Sequence, residues 1–137
     1  MYNKILVAMA LDHDLSPKTL QIAEALRNDG GEIIAFHVHE APQGTASVYM
    51  DEDVIKAAYA KSEALLKEKL KGIDNITPKI TKGHAARTII DYATANGVDC
   101  IVIGSHKPGL SDYFLGSSAS RVVRHAPCAV HVQRDDS

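Results

Sequence analysis

Residues Ile101–Val132 read I-V-I-G-S-H-K-P-G-L-S-D-Y-F-L-G-S-S-A-S-R-V-V-R-H-A-P-C-A-V-H-V. The apolar run Ile101-Val102-Ile103 stops at Gly104, and a loop rich in Gly, Ser and Pro follows. Gly116-Ser117-Ser118 then opens a short helix that ends before Pro127, and Cys128-Ala129-Val130-His131-Val132 supplies a last apolar strand. A strand that empties into a glycine-serine loop just ahead of a helix presents backbone N–H groups to phosphate. The stretch therefore predicts a β-loop-α-β unit with a nucleotide seated in its loop.

Working outward, the same alternation recurs. Ile5–Ala10 and Ile33–Val38 are continuous apolar runs, the pattern of strands covered on both faces. Between them Ser16-Pro17 starts a helix as N-cap and first-turn proline. Leu20, Ile22, Ala23 and Leu26 form its buried side, and Asp29-Gly30-Gly31 its stop. After a loop reaching to about Met50, the spacing predicts a long helix over Asp51–Leu70. Ile55, Tyr59, Ser62, Leu66 and Leu70 make its apolar stripe. Thr77–Lys82 alternates and contains Pro78, so it reads as an edge strand. Gly83-His84-Ala85-Ala86 leads into a helix with Ile89, Ile90 and Ala93 inward and Asn96-Gly97 as its stop. Val98–Ile103 is the fourth strand, and Asp135-Asp136-Ser137 a frayed tail. Strands alternating with helices imply an α/β domain spanning 1–137, a parallel sheet sandwiched between helices. Ligands bind such sheets at the carboxyl ends of the strands, where strand order reverses. The loops after strands one, two and four should converge there.

Composition narrows the function. The chain has 137 residues, 45% hydrophobic and 23% charged, and a net charge of −2 with the signs interspersed. That balance advertises no polyanion surface and argues against nucleic acid as a ligand. The first apolar run is too short for a signal peptide or a membrane span, so a cytoplasmic protein without direct membrane insertion is expected. Cys100 and Cys128 form no C-x-x-C and read as reduced core residues. His37 and His39 face one side of a strand, but two ligands do not make a zinc site. No Ser/His/Asp order or carboxylate pair supports catalysis.

Within the site, Gly104 allows close approach of a ligand to backbone, and Gly109 after Pro108 is either a turn residue or a second such point. Gly116, Ser117 and Ser118 combine space, hydroxyls and free helix N–H groups. Lys107 and Arg121 can add positive charge, and His106 lies in the same loop.

G-S-H-x-P-G-L-S-D-Y-x-L-G-S followed by R-V-V-R-H-A-P-C resembles the universal stress protein family, in its branch with a Ser-His-x-Pro loop. Lys4–Val7, His37-Val38 and Val98–His106 match the family's first, second and fourth strand regions. The resemblance spans essentially the whole chain. It implies a Rossmann-like fold of the adenine-nucleotide alpha hydrolase-like kind, an open five-stranded sheet ordered 3-2-1-4-5, and homodimers pairing through the fifth strand, here Cys128–Val132. It further implies a stress-response role and ATP, with Mg accompanying it, or AMP as ligand. The family's loop pattern is Gly, two residues, Gly, nine residues, then Gly and Ser or Thr. Gly104 and Gly116-Ser117 match its ends. Lys107 replaces the middle glycine, and eleven residues (105 to 115) stand where the pattern has twelve. After strand one the family's proline, apolar residue and aspartate are here Ala8, Met9 and Ala10. Backbone groups of Ala8 and Ala10 would meet adenine, Asp12 the ribose, Val38 the adenine face, with Ile103 at the end of strand four. Losing one charged hydrogen bond costs roughly 1.5–3 kcal/mol, about ten- to hundredfold in affinity.

The expectation is a non-enzymatic, nucleotide-dependent regulatory or protective dimer, a reading compatible with slow incidental ATP hydrolysis. Two alternatives share the fold. One is an interaction module that binds no nucleotide; the other is a regulator of a membrane transporter, touched through residues 42–50.

Overall fold

A computed structural model of the chain describes residues 1–11, 17–40, 51–105 and 115–134. In order the elements are β1 (Tyr2–Ala8), α1 (Pro17–Leu26), β2 (Arg27–His39), α2 (Glu52–Lys69), β3 (Ile76–Lys82), α3 (Ala85–Asn96), β4 (Cys100–Gly104), α4 (Ser117–His125) and β5 (Ala129–Gln133). The five strands form one sheet ordered β3-β2-β1-β4-β5, and every neighbouring pair is parallel. The expected α/β architecture and strand order are both present.

Alternation along the central strands sorts the core into two layers. Ile5, Val7, Ile33, Ala35, Cys100 and Val102 point to one face, where Ala23 of α1 and Leu66 and Leu70 at the end of α2 cover them. Leu6, Ile34, Phe36, Val38, Ile101 and Ile103 point to the other, under Ala86, Ile89 and Ala93 of α3 and Ala119 and Val122 of α4. Both faces are thus closed by helices, which is why the strands read as unbroken apolar runs. Each large side chain buried there contributes about 1.5–3 kcal/mol. Phe36, 1% exposed, also packs on the Tyr92 ring at 4.6 Å between centroids.

Several boundaries move from the sequence expectation. Asp29-Gly30-Gly31 does not end a helix: α1 stops at Leu26 and the triplet lies inside β2. Paired positions go from Tyr2↔Arg27 to Lys4↔Glu32, so β2 advances five residues while β1 advances two. The excess is looped out at Gly30, whose φ of 78° is left-handed. β1 begins earlier than the apolar run because the carboxylate of Asp99 accepts from the Asn3 and Lys4 N–H groups, each at 2.9 Å. β4 starts at Cys100 rather than Val98, and β5 covers Ala129–Gln133. Helix ends follow their chemistry. Asp51 caps α2 through the Asp53 N–H at 3.1 Å, and Gly97, at φ 68°, ends α3 in the left-handed conformation. Ile90 is only partly buried, and Ala86 takes the inward position instead. Ser16, the loop to Met50 and the tail after Arg134 lie outside the described residues.

Candidate functional site

Strand order reverses at β1, which lies between β2 and β4. The carboxyl ends of these three strands meet at one edge, with the N-termini of α3 and α4 on the face covered by those helices. Ala8 ends β1, Met9 follows it with a buried side chain, and Ala10 is exposed. The Met9 N–H donates to the Phe36 carbonyl at 2.8 Å, and its carbonyl lies 2.8 Å from Nδ1 of His37. Its main chain is therefore already engaged, which stiffens the segment between Ala8 and Ala10. Val38 and Ile103, 8% and 7% exposed, both belong to the core layer below α3 and α4, on strands separated by β1.

Gly104 ends β4 without a left-handed φ, and a Cβ there would meet nothing within 4 Å among the described residues. Its freedom from strain means that a glycine is not required there by φ. Ser105 continues the ladder by donating its N–H to Gln133 at 2.9 Å, and its carbonyl accepts from Gly116 N–H at 2.7 Å. Strand alternation puts its side chain on the α4 side. The hydroxyl is buried, the residue being 1% exposed, and it has no hydrogen-bond partner among the described residues.

Gly116 is the N-cap of α4 and has no side chain to occupy the helix end. The first helical bond, Ser120 N–H to the Gly116 carbonyl at 2.9 Å, leaves the N–H groups of the first turn facing outward. The partial positive charge there favours an anion. α3 starts differently. Its N-cap His84 makes no capping bond, but the carboxylate of Glu40 accepts from Ala85 N–H at 2.9 Å. Of two helix N-termini sharing this edge, one is closed by a built-in carboxylate, and the other receives no side-chain cap from the described residues. Between them runs a cleft of about 290 Å³ lined by Glu40, His84, Ser117, Ser118 and Arg121.

The structure therefore joins Ser117 and Ser118 with Arg121 in one concavity, and Gly116 is the N-cap of the helix that carries them. Ala8, Ala10, Val38, Ile103 and Gly104 lie at the same sheet edge. Asp12, His106, Lys107 and Gly109 lie outside the described residues. Sequence reasoning missed Glu40 and His84. Their position after β2 and after β3 was the available signal, because both strand ends open on the same edge.

His37 and His39 share a face, but Nδ1 of His39 bonds to Ser62 Oγ at 3.0 Å while that of His37 bonds to Met9. Among the described residues no group of three or more His, Cys, Asp or Glu is placed to hold a metal. Cys100 and Cys128 are free thiols. Burial, then the neighbouring Cys128 and Asp99, pushes the Cys100 thiol up to about 11, and burial raises Cys128 as well. Neither is poised as a nucleophile. Among the described residues no helix is long and apolar enough to cross a membrane.

This fold is that of an α/β domain with a five-stranded parallel sheet ordered 3-2-1-4-5. The family model described as Universal stress protein family matches residues 1–134. The chain belongs to that family. It is 29% identical over 145 residues to Universal stress protein G of Shigella flexneri, covering 98% of this chain and all of that one. Its fold superposes with a TM-score of 0.68 on universal stress protein UspA from Lactobacillus plantarum, at 26% identity and 97% and 98% coverage. It also matches a universal stress protein family protein from Arabidopsis thaliana solved with AMP bound. There the TM-score is 0.62 at 19% identity, with 98% and 93% coverage.

Proposed function

We propose that this chain binds an adenine nucleotide, ATP with Mg or AMP, at the carboxyl edge of its sheet and acts in the stress response as a nucleotide-dependent regulatory or protective homodimer. The observation that carries the reading is the uncapped N-terminus of α4 opening into a cleft with Ser117, Ser118 and Arg121. Hydroxyls, free N–H groups and a guanidinium are the donors phosphate requires, and they stand where strand order reverses. The buried, unpartnered hydroxyl of Ser105 beneath the same helix end adds a donor. AMP in the Arabidopsis relative supports the choice of an adenine nucleotide. Dimerisation is assigned to β5, which pairs with β4 on one side only and is the outer strand of the sheet. The proposed setting is the cytoplasm, and the proposed role is not enzymatic.

Mass spectrometry of denatured, freshly purified protein tests the reading. Co-purifying ATP or AMP is the expected result; no adenine nucleotide, even after incubation with ATP, would overturn it. Ala10, standing where the family carries an aspartate, favours a second reading, an interaction module of the same fold that binds no nucleotide. The same experiment separates the two.

A further inference from the structure

We propose that Glu40, at the carboxyl end of β2, is the carboxylate that holds the ribose of the bound nucleotide; this rests on the nucleotide-binding reading above. The segment after β1 offers no acidic side chain at Ala8, Met9 or Ala10, and both backbone groups of Met9 are engaged. Among the described residues lining the cleft, Glu40 is the one carboxylate. One of its oxygens, Oε1, is fixed by Ala85 N–H at 2.9 Å. That bond orients the group and leaves Oε2 to accept from a ligand. An ionised carboxylate only accepts hydrogen bonds, so its partner must bring donors, as a pair of ribose hydroxyls does. Ser117, Ser118 and Arg121 line the same cleft and require the opposite, an acceptor-rich anion.

Among the described residues no ion pair joins Glu40 to Arg121, so both charges stay available. A ligand with hydroxyl donors at one end and phosphate at the other satisfies both. Glu40 follows β2, the strand beside β1, at the edge where strand order reverses.

The test compares ATP with 2′,3′-dideoxy-ATP by calorimetric titration of the full chain, as wild type, Glu40→Ala, Glu40→Gln and Asp12→Asn. Wild type should prefer ATP about ten- to hundredfold, the worth of hydrogen bonds to a charged group. In Glu40→Ala the two nucleotides should bind alike. Glu40→Gln retains an acceptor for Ala85 N–H, and so the α3 cap, but turns a donor toward the ribose; it should lose most of the preference while melting like wild type. A residue that only capped α3 would leave the ratio of the two affinities unchanged. Equal binding of both nucleotides by wild type, undiminished preference in both Glu40 variants, or loss of preference only in Asp12→Asn would each overturn the proposal and leave nucleotide binding standing. If wild type bound neither nucleotide, the nucleotide reading itself would fall, and this assignment with it.

Discussion

The N–H of Gly116 donates to the carbonyl of Ser105 at 2.7 Å, so the residue that caps α4 is tied directly to the residue that follows β4. Whatever path the intervening segment takes, its two ends are held one hydrogen bond apart, beside the open helix terminus. The proposed anion site therefore rests on the junction of sheet and helix. That arrangement makes Gly116 the most informative position to disturb.

Gly116 has φ −60° and ψ 157°, a conformation any L residue adopts. Gly116→Val should therefore fold, with a penalty of about 1 kcal/mol for a poorer N-cap. Its branched side chain would stand over the first-turn N–H groups, and ATP affinity should fall at least about tenfold, the loss of one charge-assisted hydrogen bond. Titration of ATP beside wild type checks this. Undiminished affinity would remove the phosphate cradle.

Ser105 leads to an opposite expectation. A buried hydroxyl without a partner keeps its desolvation cost and gains nothing, so Ser105→Ala should leave the nucleotide-free protein as stable or about 1 kcal/mol more stable. Urea denaturation without ligand measures it. A clear loss of stability would mean that the hydroxyl is satisfied after all.

The layered fold was legible because continuous apolar runs such as Ile5–Ala8 and Ile33–Val38 have one use, a strand buried on both sides. Local chemistry also announced Asp51, Gly97 and Gly116 at the positions where helices begin or end. Glycine signals failed at Asp29-Gly30-Gly31, since a left-handed residue serves a helix stop and a looped-out segment equally. What distinguishes them is the pairing of β2 with β1, a long-range fact. Glu40 was hidden for the same reason. Its partner Ala85 is 45 residues away, and only the β2–β3 register brings the two together. Gly116, Ser117 and Ser118 are contiguous in sequence, whereas Glu40 and His84 are brought to the same cleft by topology.

Cys100 sets an alkaline limit. Its thiol is raised in the folded chain from about 9 to about 11, first by burial and then by Cys128 and Asp99. A group protonated more tightly when folded contributes stability that is fully present below its unfolded value and is lost as pH rises through its folded one. Stability should thus decline between pH 9 and about 11. In Cys100→Ala that component of the decline should vanish, although the smaller side chain lowers stability at all pH values. Denaturation midpoints across this range, with and without the substitution, provide the check. Equal slopes for the two proteins would contradict it.

Asp99 works at the opposite edge of the sheet from the site. Its two carboxylate oxygens accept from the N–H groups of Asn3 and Lys4, and its own N–H donates to the Lys4 carbonyl at 3.0 Å. These bonds fasten the amino end of β1 to the turn that enters β4, the two strands flanking the switch point. Removing the carboxylate leaves two backbone donors to water, because this end of β1 is partly exposed. The cost of Asp99→Ala should therefore be about 2 kcal/mol, near the lower end for bonds to a charged group. Asp99→Asn retains one acceptor and should lose about half as much. Because the proposed nucleotide site is at the carboxyl edge, neither substitution should change ATP affinity in protein that remains folded. Urea denaturation paired with ATP titration separates the two effects. A matching fall in affinity would show that β1 and β4 transmit strain along their length, and would argue against treating the two edges as independent.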